Sequence, residues 1–229
     1  MMILAIFRGN VYPGVFLLGL VVVVVIWMVS SYFSRKAVVK RNLRLADGKR
    51  IGSFINGEHG KITGKVSAVG KTLKAPLSKR DCVYYHVIVQ EYRSGGKSGH
   101  WYTIIDDVGA GDIVMTDGRH YAVVEVTRAK AYIVTDQNYS SGMFNDATPE
   151  LEEFLAKHGY DSTTFLGFNR KLRYLEGVLE HDEKFAVCGI GYWRASVPLQ
   201  IEVPLQRVLV IQADERESVY FSDDPEVVK

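Results

Sequence analysis

Cys82 and His86 stand four residues apart in the stretch LKAPLSKRDCVYYHVIVQEYR, Leu73 to Arg93. A cysteine beside a histidine can form a thiolate nucleophile with its own base, provided the two side chains come within ~2.6–3.2 Å. The surrounding residues alternate as those of a β-strand do. At ~3.3 Å per residue, a separation of four puts both side chains on one face but about 13 Å apart. A regular strand therefore cannot make them a dyad, and Cys82 reads as a small structural thiol of the kind free cysteine usually is. The opposite face, Val83, Tyr85, Val87 and Val89, is the apolar one expected against a core.

The other reactive residue types show no convergent spacing. The chain has two cysteines, Cys82 and Cys188, too few for a disulfide framework and, without a CxxC pair, too few for a structural zinc site on their own. Six histidines are scattered without an HExxH pattern. DDVGAGD, Asp106 to Asp112, gathers three carboxylates that could attract a hard cation, but aspartate and glycine are also what tight turns need, and a turn is the expectation. Neither GxGxxG nor GxxxxGK[ST] is present, so no nucleotide site is read. No cofactor and no small-molecule ligand is claimed from the sequence. The 28 lysines and arginines nearly balance 26 acidic residues, a net charge of +2 without the basic footprint of a nucleic-acid binder.

The elements that must carry these residues are mostly strands. Beyond Gly48 the chain breaks into short β-rich runs: Lys61–Val69, Cys82–Tyr92, Trp101–Asp106, Ile113–Thr116, Tyr121–Val126 and Ala131–Thr135. SGGKSG, Ser94 to Gly99, reads as a hairpin loop between the second and third. Further runs follow at Lys171–Leu179, Lys184–Tyr192, Leu199–Pro204, Val208–Ala213 and Val219–Ser222. One soluble helix interrupts them in DATPELEEFLAKHGYD. Thr148 stands at its N-cap, Pro149 at its first position, Leu151, Phe154 and Leu155 on its apolar stripe, and Gly159 at its stop. The expected fold is a mainly β (α+β) soluble domain with one short helix.

Before this domain, GVFLLGLVVVVVIWMV, Gly14 to Val29, is unbroken apolar sequence. With its flanks, residues 13–33 reach about 30 Å as a helix, the thickness of a bilayer core. Helix is expected despite five consecutive valines, because a backbone in hydrocarbon must satisfy its own hydrogen bonds. A cleaved signal peptide is the rival, with Val29 and Ser31 at the −3 and −1 sites, though the apolar core is long for one. Arg8 alone precedes the span, whereas Arg35, Lys36, Lys40, Arg41, Arg44, Lys49 and Arg50 follow it. The positive-inside rule then places the C-terminal domain in the cytoplasm behind a single pass. The same basic segment, 34–50, could touch anionic headgroups through Arg35, Lys36, Lys40, Arg41 and Arg44. The expected divisions are a short segment 1–12, the span 13–33, the basic segment 34–50, and a domain 51–229 that could split near 147.

Two stretches together resemble a known family. GKITGKVSAVGKTLKAPLSKRDCVYYHVIVQEY, with the tryptophan of HWYTI, is similar to the beside-a-membrane domain: a G-x-V strand, an L-x-A-P-x-S turn, then C-V-Y-Y. The matching positions are Ala75, Pro76, Ser78, Cys82, Val83, Tyr84, Tyr85 and Trp101. NRKLRYLEGVLEHDEKFAVCGIG resembles the companion signature of the GIDE-type membrane E3 ubiquitin ligases, an R-Y-x-E strand leading through an acidic turn to V-x-G, at Arg173, Tyr174, Glu176 and Gly189. The resemblance spans roughly residues 50–225 and implies a membrane-anchored protein-recognition domain whose motif residues are structural. The family's ligases carry a second membrane helix and a RING with eight zinc ligands. These 229 residues show neither, so ligase activity is not expected of them. Two alternatives accompany the expectation of an unknown protein partner: a substrate-binding half serving a separate RING subunit, and a lipid-sensing module that uses the basic segment.

Overall fold

A computed structural model describes residues 13–95, 98–142, 146–163, 169–196 and 203–229, with side chains from Leu17 onward. The chain packs as two units, one ending at Val38 and one running from Val39 to Lys229. The first contains helix α1 (Pro13–Tyr32), whose described leucines, valines and Trp27 are exposed within that unit. Among the described residues no single helix is long and apolar enough to cross a membrane. Leu17–Tyr32 and Arg35–Leu45 pass by length and composition only when taken together as a bent pair.

The second unit is mainly β. Strands β1 (Glu58–Val66), β6 (Ile113–Thr116), β7 (Tyr121–Val124), β12 (Arg207–Gln212) and β11 (Lys184–Ala195) join side by side, and β11 returns to pair with β1. The ring is therefore closed, which leaves these strands without free edges. β13 (Val219–Ser222) and β8 (Ala129–Tyr132) continue the sheet from β11. Alternate residues point inward, so Ile62, Met115, Val124, Phe185, Val187, Leu209 and Ile211 fill the ring together with Phe54, Tyr84 and Phe221.

A second sheet has the order β5-β4-β10-β9, formed by β4 (Tyr84–Gly95), β5 (Ser98–Ala110), β9 (Gln137–Ser141) and β10 (Leu172–Leu179). Helix α3 (Pro149–Lys157) covers its inner face, packing Leu151, Phe154 and Leu155 on Val87, Val89, Leu172 and Tyr174. Nine residues alone are too few for a stable helix in water. Each of the three buried side chains contributes about 1.5–3 kcal/mol, which offsets the ordering. Thr148 occupies the N-cap with extended backbone, but its hydroxyl makes no cap hydrogen bond. Helix α2 (Arg35–Leu45) enters the second unit at Val39 and buries Val39 and Leu43 against Ala186, Cys188 and Val227.

Several expectations need correction. DDVGAGD is not a turn: β5 runs on to Ala110, paired with β4 as far as Tyr84↔Ala110, and only Gly111 and Asp112 follow it as connection. β9 has no counterpart among the expected strands. The strand expected at Ala131–Thr135 lies at Ala129–Tyr132, and the one expected from Lys61 begins at Glu58. A division near 147 does not follow the packing, since it would part β9 from β10, which pair from Leu172↔Ser141 to Glu176↔Gln137. The run expected at Leu199–Pro204 falls largely at 197–202, outside the described residues, as do residues 96–97 of the hairpin loop. Pairing of β4 with β5 reaches that loop at Gly95↔Ser98.

Candidate functional site

The two motif stretches meet at one carboxylate. β2 (Leu73–Lys74) and β3 (Asp81–Cys82) form a small hairpin, whose turn holds Ala75, Pro76 and Ser78. Ala75 N–H donates to the Arg80 carbonyl, and Lys79 N–H to the Ala75 carbonyl. Lys79 takes the left-handed conformation, at φ 58°. Inside the turn two backbone N–H groups, of Leu77 and Ser78, donate to the two oxygens of Glu176 at 2.8 and 2.9 Å. Glu176 sits in β10 with no exposed surface. A buried carboxylate needs such partners, because without them the desolvation cost is several kcal/mol. Arg80 completes the junction, donating to Ser78 Oγ, and to Asp136 and Glu180 at 3.1 Å each.

The rest of the CVYY segment spreads into three clusters. Cys82 packs with Ala75 and Val178, Val83 and Tyr84 face the ring interior, and Tyr85 borders α3's cluster. Tyr84 meets the Phe221 ring edge-on at 5.0 Å. Burial pushes the Cys82 thiol up to about 11, with the charges of Glu176 and Glu180 adding to it. A thiol held this high is overwhelmingly protonated at neutral pH and is a poor nucleophile. His86 is aimed elsewhere: its Nε2 lies 2.7 Å from Asp106 on β5. Tyr174 is fully buried beneath α3, where burial raises its phenol. At Gly189 a Cβ would stand 2.8 Å from Ile211 Cγ2, so β11 has room only for hydrogen where it crosses that side chain.

The three aspartates of DDVGAGD are divided among different partners. Asp106 meets His86, Asp107 faces Tyr85 and His158, and Asp112 accepts the Lys71 N–H at 2.9 Å. Among the described residues no group of three or more His, Cys, Asp and Glu is arranged to hold a metal ion.

The outer face of the second sheet has a different chemistry. β10 alternates, with Leu172 and Tyr174 inward and Arg173 and Leu175 on the other side, and Lys171, just before the strand, is exposed. Tyr92 and Trp101 are directly paired across β4 and β5, with ring centroids 5.3 Å apart and planes at 65°. Lys171 Nζ stands 4.5 Å over the Tyr92 ring and 6.0 Å over Trp101, and the Arg173 guanidinium 4.3 Å over Trp101. Gln90 fixes Arg173 by accepting from its Nε at 2.6 Å, and itself donates to Thr103. Two cations therefore lie over two rings on a half-exposed β surface, the rings holding them by cation–π attraction. Of this group, Trp101 and Arg173 stand in the family motifs, while Tyr92, Gln90 and Lys171 had not been singled out. The signal for Lys171 was the period-two alternation of basic with apolar residues through KLRYL.

The basic segment is partly committed to the domain. Lys40 is buried, with its ammonium 2.9 Å from Asp224 and 2.8 Å from Glu226, and hydrogen bonding to Glu226 outweighs burial to raise its pKa. Arg44 also pairs with Glu226. Neither side chain is presented to a headgroup as a solitary cation. Arg35 and Lys36 are exposed on the first turn of α2, and Arg41 is half-buried one turn further on.

Compared with family models, with curated proteins and with solved structures, the chain has no significant match in any of the three.

Proposed function

We propose that this chain is a membrane-anchored, non-catalytic protein-recognition module of the GIDE type, its domain from Val39 onward cytoplasmic and its partner an acidic segment of another protein. The observation that carries the reading is the Tyr92–Trp101–Lys171–Arg173 face. It offers aromatic area and positive charge, the residue types over-represented where interfaces bind, and no nucleophile or base. Cation–aromatic ladders of this kind recognise carboxylates through charge while the rings supply desolvated contact.

Two further features support it. The exposed apolar surface of α1 calls for a nonaqueous cover, and seven basic residues on its C-terminal side against one before it favour a cytoplasmic domain. The hydrogen bonds of Glu176 to the Ala75–Arg80 turn give the two family-like stretches a reason to occur together in one chain.

The test places a photo-crosslinking side chain at Thr103, which is exposed beside the ladder, in the full chain expressed in membranes. A discrete adduct is expected, lost on Arg173→Glu and suppressed by excess acidic peptide. An adduct that survives both, or none at all, would refute the reading.

A further inference from the structure

We propose that a two-lobed cleft on the ring, away from the ladder, binds a ligand with a phosphate-monoester anion on a planar or apolar body. The first lobe, of about 520 Å³, is lined by Arg50, Gly52, Ser53, Asp117, Arg119 and His120. The second, of about 480 Å³, shares Gly52 and His120 and continues to Trp193, Leu205 and Arg207. Both volumes lie in the range of small-molecule sites, ~300–1,000 Å³.

The first lobe is built for negative charge. Among the described residues, neither Arg50 nor Arg119 has a hydrogen bond or ion pair at its guanidinium. Asp117, the single carboxylate lining the lobe, is already engaged. Its Oδ1 accepts the N–H groups of Arg119 and His120 at 2.9 and 2.7 Å, and these bonds outweigh burial to hold its carboxyl low. His120 Nδ1 is buried against the same carboxylate, 3.5 Å from Asp117 Oδ2, a contact long for a hydrogen bond.

Gly52 shapes the floor of the cleft. A Cβ there would come within 2.6 Å of the His120 ring, so the imidazole can lie over the single 3-10 turn at Ile51–Ser53 only because residue 52 has no side chain.

The second lobe is suited to the body of the ligand. Trp193 is held by its indole N–H donating to the Phe54 carbonyl at 2.9 Å, and Arg207 lies 5.5 Å over its ring. A fixed aromatic wall beside a guanidinium suits a planar group attached to an anion. A soluble organic phosphate and a lipid phosphate headgroup share this chemistry.

The experiment uses the full chain in phosphatidylcholine nanodiscs. Trp27 and Trp101 are replaced by Phe, which leaves Trp193 as the only tryptophan of the three. Phenyl phosphate should change its fluorescence saturably, with a Kd of about 1 mM or tighter. Phenol should not. Arg50→Gln and Arg119→Gln should each weaken binding about tenfold or more, as loss of a charge-assisted hydrogen bond does. Gly52→Ala, which displaces the imidazole, should weaken it too, with circular dichroism confirming that each variant is folded.

Nanodiscs containing phosphatidate separate the two sources. Competition with phenyl phosphate identifies a headgroup ligand, and undiminished binding a soluble one. The proposal fails if Trp193 shows no saturable response up to about 10 mM phenyl phosphate, far weaker than a built site gives. It fails equally if binding is indifferent to both arginine substitutions.

Discussion

Glu176 is a side chain whose loss the domain would feel strongly. Its two oxygens accept the N–H groups of Leu77 and Ser78 where no water reaches them. Glu176→Ala strands both donors and opens a cavity, so denaturant unfolding should show a loss of about 3–5 kcal/mol, the usual cost of breaking a buried charged contact from one side. Glu176→Gln keeps one acceptor oxygen and should lose less. Equal losses for the two variants would mean that the turn does not depend on this carboxylate. Asp223 works in the opposite sense. Burial pushes its carboxyl up to about 7 from an ordinary 3.8, against the hydrogen bond it accepts from the Val134 N–H and with the charges of Glu183 and Asp136 adding to the rise. The native state thus keeps a proton that the unfolded chain releases, and stability falls as pH rises from about 4 to about 7, by at most about 4 kcal/mol. Asp223→Asn is neutral throughout and can still accept from Val134. Thermal melts should find it more stable than the parent above pH 7, with the advantage vanishing near pH 4. A constant difference across that range would refute the assignment.

At the scale of elements, α2 behaves as part of the domain and not as a linker. Val39 and Leu43 are fully buried against Ala186, Cys188 and Val227, and Lys40 is ion-paired to Asp224 and Glu226. A fragment 39–229 should therefore unfold cooperatively. A fragment 51–229 should be less stable by about 3–5 kcal/mol, since it uncovers two buried aliphatic side chains and leaves Asp224 without its ammonium. Identical unfolding curves would show α2 to be a bystander. In the sequence the basic residues of 34–50, with apolar ones interleaved, suit a headgroup surface, and nothing local reveals that Val39 and Leu43 have a sheet to pack on. Short apolar runs bounded by turn residues were legible: Ile113–Thr116 and Val219–Ser222 lie where expected, and both are buried along most of their length. β9, with the sequence QNYSS, carries almost no apolar signal, because an edge strand can be held by backbone pairing with β10. DDVGAGD misled for the converse reason. Its composition suits a turn, but a long partner in β4 supplies hydrogen bonds that override local preference.

The whole molecule is threaded in a way that sequence reading does not reveal. Short β runs were evident, as was helix α3, whereas α2 was not read as part of the domain. Which runs close a ring and which form a second sheet depends on pairings between distant residues, such as Glu58↔Gly191, and no local pattern encodes them. The same holds for the sites. Cys82 and His86 drew notice by proximity in the chain, whereas Arg50, Arg119 and Arg207 are far apart in sequence and meet only through the ring.

That threading bears on how the protein is made. β1 is synthesised early, but its main partner β11 ends at Ala195, and β12, which completes the ring, ends at Gln212. Until β11 has left the ribosome, β1 has an open edge, and the Ala75–Arg80 turn waits for a glutamate about a hundred positions downstream. Such long-range closure makes folding slow and exposes unpaired strands meanwhile. The nascent chain thus passes through an interval in which its own core cannot yet cover these strands.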